Sequence, residues 1–225
     1  MTAPEKVKSG IEGLDRALSN IRLGDNVVWR LKSLDLFPLV AAPFVKQAVS
    51  DGRNLIYLRF APHEEFVPEQ SGVKRYELDP EQGFDAFTLA VHDIIAAEGP
   101  RAFYVFDSLS ALQVAWNTDA HTGDFFHATC PFLYELDTVA YFPLLRSRHS
   151  ANAISNIQKT TQLMLDLFAS EDSYYIHPLK VYKRHSQTMF LPHSFDPASG
   201  KVLPLLDRES VSRYYAIADR EKALR

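Results

Sequence analysis

At 225 residues and 25.5 kDa, with 46% hydrophobic and 12% aromatic side chains, the chain can bury the core of one sizeable domain, which excludes disorder throughout. A formal net charge of −4 and a pI near 6.1 argue against a nucleic-acid binder held by bulk positive charge. The single cysteine, Cys130, excludes an internal disulfide and points to a reducing compartment. With no apolar leader and no run of membrane-spanning length, a cytoplasmic location and no membrane contact are expected.

In chain order, Val27–Leu31 reads as a short strand entered from the turn Gly24-Asp25-Asn26. Residues 38–49 place apolar side chains on one side of a helix, with Pro38 suited to its first turn and Pro43 awkward inside it. Leu55–Leu58 is the next apolar strand, and a further strand is expected over 73–78. Residues 84–97 show helical spacing, with Phe87, Val91, Ile94 and Ile95 on one face, and Gly99-Pro100 stops them. Phe103–Phe106 is a strand apolar on both faces, ending in Asp107. The pattern continues through 138–145, a short helix from Ala151, and 161–167. Beyond Tyr174, residues 177–191 and 201–205 read as antiparallel strands around the turn 196–200. A polar helix over 207–225 then carries a stripe of Val211, Tyr214, Tyr215 and Ala218. Strands apolar on both faces and separated by helices predict a mainly parallel sheet covered on both sides, hence α/β with an antiparallel C-terminal edge and a C-terminal helix. Residues 1–206 form the expected domain, and 207–225 a helix that either packs on it or leads to a further domain in a longer protein.

Three stretches carry a resemblance. Ser9-Gly10-Ile11-Glu12-Gly13-Leu14-Asp15 is similar to an S/T-G-I-x-G-L-D signature; Tyr104–Leu112 is similar to a Walker B strand followed by Asp-Ser-Leu-Ser; Val181-Tyr182-Lys183-Arg184-His185 is loosely similar to V-x-K-x-R. In this order, across roughly residues 9–205, the chain resembles the KaiC-type branch of the RecA-like ATPase family. The resemblance implies a RecA-like three-layer sandwich. It also implies that Asp107 stands where active relatives orient a magnesium-bound water, that Glu64 and Glu65 stand near their acidic pair, and that Lys183 matches a lysine reaching a neighbouring subunit's nucleotide.

One part of the family pattern is missing. A phosphate loop needs glycines that let backbone N–H groups surround the phosphates, a lysine that reaches them and a hydroxyl on magnesium. Aligned with that loop, Lys32-Ser33-Leu34-Asp35-Leu36-Phe37-Pro38-Leu39 has Lys32 and Phe37 at the framing glycines, Pro38 at the lysine and Leu39 at the Ser/Thr. Asp35 adds a carboxylate, and Pro38 removes an N–H.

The resulting expectation is a pseudo-ATPase, a RecA/KaiC-like domain with a regulatory, assembly or protein-interaction role, with no catalytic residue and no cofactor. A protein partner or self-association follows from that role. The alternative is a domain that binds ATP and magnesium at a non-standard site of Lys32, Ser33, Asp107 and Lys183; Asp107, Glu64 and Glu65 would be catalytic, and Asp107 metal-bound, only in an active domain. A third reading is the N-terminal input module of a larger enzyme. His121, His127 and Cys130 match no zinc spacing, with 122–126 read as a loop opening a helix; His185 and His193 flank a strand pair. Without a G-x-S-x-G elbow, and with Cys130 flanked by apolar residues, nucleophilic chemistry is not expected. Arg146, Arg148, Lys159, Lys180, Lys183 and Arg184 gather basic charge, but without aromatic interleaving they are expected in solvated or partner-facing positions rather than on nucleic acid.

Overall fold

The computed structural model describes residues 5–170 and 173–223. A nine-stranded sheet organises them. Its strands are β3 (Asn26–Leu31), β4 (Leu55–Arg59), β5 (Val73–Glu77), β6 (Phe103–Phe106), β7 (Val139–Leu145), β8 (Leu163–Ser170), β9 (Ser173–Val181), β10 (His193–Asp196) and β11 (Lys201–Pro204). The spatial order is β5-β4-β6-β7-β3-β8-β9-β10-β11; β5 through β8 pair in parallel, and β8 through β11 are antiparallel. A two-stranded ribbon of β1 (Lys6–Val7) and β2 (Ile21–Arg22) stands apart.

Side-chain alternation divides the core between the two faces of the sheet. Val27, Trp29 and Leu31 of β3 point to one side, with Tyr57, Val105 and Tyr141, where α1 (Glu12–Leu18) and α2 (Pro38–Ser50) pack. Val28 points to the other with Ile56, Leu58, Phe106 and Phe142, under α3 (Phe84–Glu98), α4 (Leu109–Trp116), α5 (Asp119–Glu135) and α6 (Ala151–Thr160). Helices on both faces explain why the central strands are apolar throughout. The final helix, α7 (Arg208–Ala223), docks through Tyr214, whose ring meets Phe168 edge-on at 5.4 Å and Tyr175 at 5.8 Å. Tyr214 and Ala218 of the expected stripe are buried, while Tyr215 is exposed; residues 224 and 225 of the expected helix lie outside the described residues.

Two expectations are corrected. The strand expected over 177–191 begins earlier and ends at Val181; Lys183 then takes a left-handed φ of 50°, which takes the chain out of the sheet, and it re-enters only at His193. Lys183 therefore lies just beyond β9, an interior strand between β8 and β10. Residues 122–126, expected as a loop, lie inside α5, which is capped by Thr118 and carries Gly123 and Pro131 within its seventeen residues.

Candidate functional site

In an open parallel sheet, ligands and catalytic groups collect outside the carboxyl ends of the strands. Tyr104–Leu112 reaches that region at Asp107, whereas Val181–His185 lies at the opposite, amino end of the parallel strands, where Val181 pairs with Leu163 at the start of β8. The N-terminal signature folds for packing. Ser9 N–H donates to Asp15 Oδ1 at 2.9 Å, and Gly10, at φ 82°, comes so close to α2 that an added Cβ would lie 2.1 Å from the Pro43 carbonyl oxygen. A Cβ on Gly13 would lie 2.4 Å from the Val202 amide nitrogen of β11. These residue types are required by close backbone approach and by a buried cap.

The segment aligned with the phosphate loop is closed upon itself. Ser33 caps a 3-10 turn over Leu34–Leu36: its Oγ accepts from the Asp35 amide at 3.4 Å and donates to Asp35 Oδ2 at 2.8 Å. The Leu36 amide donates to the Ser33 carbonyl at 3.3 Å and the Phe37 amide to the Leu34 carbonyl at 2.9 Å. Pro38, first residue of α2, has no N–H to offer. The amides of 35–37 are thus turned inward, and position 38 has none. The Phe37 ring is fully buried, edge-on to Phe66 at 4.8 Å, and Lys32 is exposed.

Asp107, at the carboxyl end of β6, is also fully buried. Its carboxylate accepts from Tyr57 Oη at 2.5 Å, Arg59 Nη1 at 2.8 Å, the Phe60 amide at 2.9 Å and the Ala61 amide at 3.0 Å. Three of these donors, Arg59 and the two amides, converge on Oδ2, and Tyr57 alone donates to Oδ1. His63 Nε2 stands 3.6 Å away, and the Arg59 guanidinium also donates to the His63 carbonyl. Arg59 is itself largely buried, so the charge facing Asp107 is a fixed guanidinium of the same chain. Burial and the neighbouring carboxylate push the Tyr57 hydroxyl well above its ordinary value, which keeps it a neutral donor. The backbone donors come from the turn that follows β4, and the side-chain donors from Tyr57 and Arg59 of β4 itself. The i, i+2 spacing of Tyr57 and Arg59 on β4, beside the strand ending in Asp107, is the signal that could have found them.

The other expected site residues disperse. Glu65 pairs with Arg75 of β5 in two parallel contacts, and that partner holds its carboxyl below the usual range; Glu64 is exposed. Lys183 is exposed, with its ammonium 4.9 Å from the Tyr182 ring centre. Of the six basic residues expected in solvated or partner-facing positions, Arg148, Lys159 and Lys183 are exposed, but Arg146, Lys180 and Arg184 are tied into the fold by their own partners. Arg146 is buried, its guanidinium 3.9 Å from the Phe168 ring centre. Lys180 Nζ donates to the carbonyls of Gln158 and Lys159, and Arg184 closes a buried bidentate pair with Asp25, at 2.8 and 2.5 Å. Among the described residues no group of three or more His, Cys, Asp or Glu could hold a metal ion. Cys130 is buried, which raises its thiol well above the ordinary value.

Beside the Asp107 cluster opens a mainly apolar cavity of about 540 Å³, within the size range of small-molecule sites. Leu34, Phe60, Leu78, Ala111, Val114 and Leu145 supply apolar wall, and Ser108, Ser110, His63, Asp79, Glu81 and Arg148 polar points. Ser110 Oγ stands 2.8 Å from His149 Nε2, a pair 39 residues apart that no sequence spacing announced. The chain matches no protein-family model and no curated protein.

Proposed function

We propose that the chain is a RecA/KaiC-like domain that has given up ATP chemistry and serves in regulation or assembly through contacts with a protein partner or a second copy. The observation that carries this reading is Asp107, whose carboxylate is fully buried and bonded by Tyr57, Arg59 and two backbone amides. A magnesium-bound water would have to enter a buried position that already faces the Arg59 guanidinium at 2.8 Å. The inward-turned amides of 35–37 and the proline at position 38 support the same reading from the phosphate side. The parallel order β5-β4-β6-β7-β3-β8 is compatible with the RecA-like layout that the sequence resemblance implies. Exposed apolar side chains near the antiparallel end, Tyr182, Phe190, Leu191, Leu203, Leu206 and Tyr215, support a contact role. The test is ATP turnover with magnesium: phosphate release at the buffer rate is expected. Magnesium-dependent hydrolysis that Asp107→Asn abolishes in a folded chain would overturn the proposal.

A further inference from the structure

Ser110 is the second residue of α4; it is 5% exposed and lines the mainly apolar cavity. We propose that Ser110 and His149 form a nucleophile–base pair that hydrolyses small carboxylic esters whose apolar acyl group occupies this cavity.

Ser110 Oγ accepts the Leu145 amide at 2.9 Å and lies 2.8 Å from His149 Nε2. The reaction uses the Nδ1–H form of His149, in which Nε2 is bare and accepts the serine hydroxyl. Burial holds His149 below its ordinary value against the opposing pull of Asp119, so the imidazole is neutral near pH 7 and able to accept a proton. The charged groups around it are Asp119 of α5 and Arg30 and Arg146 at the ends of β3 and β7. The N-terminal end of α4 places positive dipole at the oxygen that must become nucleophilic.

In the acylation step, Ser110 Oγ attacks the ester carbonyl carbon, the carbonyl π pair moves onto its oxygen, and the hydroxyl proton passes to His149 Nε2. Collapse re-forms the carbonyl and breaks the bond to the alkoxy oxygen. That oxygen takes the proton from Nε2 and leaves as an alcohol. Water then attacks the acyl-serine, gives a proton to Nε2, and the carboxylic acid departs as Ser110 regains its hydroxyl. Walls of Phe60, Leu78, Ala111, Val114 and Leu145 select an apolar acyl group.

The test uses the full chain with an alkyl fluorophosphonate, followed by peptide mapping by mass spectrometry, and p-nitrophenyl butyrate as substrate. Expected are an adduct on Ser110 with loss of fluoride, none on Ser110 in Ser110→Ala, and labelling slowed by about a hundredfold or more in His149→Gln. On the unaltered chain, labelling falls as the pH drops and His149 gains a proton, a readout that needs no variant to fold. No adduct at Ser110, a flat pH profile, an unchanged rate in folded His149→Gln, or no release of p-nitrophenol overturns the proposal. None of these readouts involves nucleotide, so they are independent of the lost ATP chemistry.

Discussion

The carboxylate of Asp107 separates a structural role from a catalytic one, because the two predict opposite effects of Asp107→Asn on stability. A catalytic carboxylate kept open for metal and water contributes little to folding, and its amide is tolerated. Here the side chain is fully buried and holds four donors, one of them a guanidinium with 13% side-chain exposure. Replacing one oxygen by NH₂ removes the charge facing Arg59 and turns two N–H bonds toward a site already filled with donors. Removing one partner of a buried ion pair costs about 3–5 kcal/mol. For a chain of this length that corresponds to a fall of roughly 6–20 °C in Tm, at about 2–4 °C per kcal/mol. Urea unfolding and thermal melts followed by circular dichroism read the effect directly. A variant with the parent's urea midpoint, or a higher one, would refute the reasoning that Asp107 is a structural hub.

Arg184→Ala should lower stability by about 3–5 kcal/mol in urea unfolding, since it strands the buried Asp25 carboxylate; Arg184→Lys should recover little, because lysine cannot reproduce the bidentate contact, and full recovery would contradict the geometry. His193 is buried, and burial holds its pKa below the ordinary value of about 6.5 against the opposing pull of the Leu191 and Ile176 backbone. Protonation thus favours the unfolded chain: stability is complete above about pH 6.5 and declines as the pH falls below it. Urea midpoints measured across that interval should decline less steeply in His193→Leu, and an unchanged slope would count against the assignment. Tyr214→Ala should cost about 3–5 kcal/mol and loosen α7 in hydrogen exchange, because the ring is buried against Phe168 and Tyr175; protection of α7 equal to the parent's would contradict the docking.

Much of the sheet is legible in the sequence because its strands are short, apolar on both faces and punctuated by Gly, Pro and Asp. Phe103–Phe106 is read to the residue, and α2 and α3 within one residue at the C-terminal end. The errors have physical causes. In α5 the helical stripe is interrupted by Gly123 and Pro131, so periodicity hides a helix that tertiary packing of Phe125, Phe126 and Leu133 maintains. After Val181 the strand stops where a lysine, not a glycine, takes a positive φ, a conformation composition does not advertise. The departure of 32–39 from a phosphate loop is legible residue by residue, since it rests on which atoms are absent: glycine freedom, a lysine ammonium, a proline N–H. The long-range side-chain pairs are not legible. Arg59 facing Asp107 and Ser110 facing His149 join residues 48 and 39 positions apart, and only the fold brings them together.

The most direct measurement of the central claim is isothermal titration of the unaltered chain with ATP and magnesium, carried to millimolar ligand. With the amides of 35–37 bonded within the segment, Pro38 in place of the lysine, and Asp107 occupied by Arg59, the account predicts no saturable heat. A saturable isotherm would mean that a phosphate site exists elsewhere on the domain, and the account of lost ATP chemistry would be wrong.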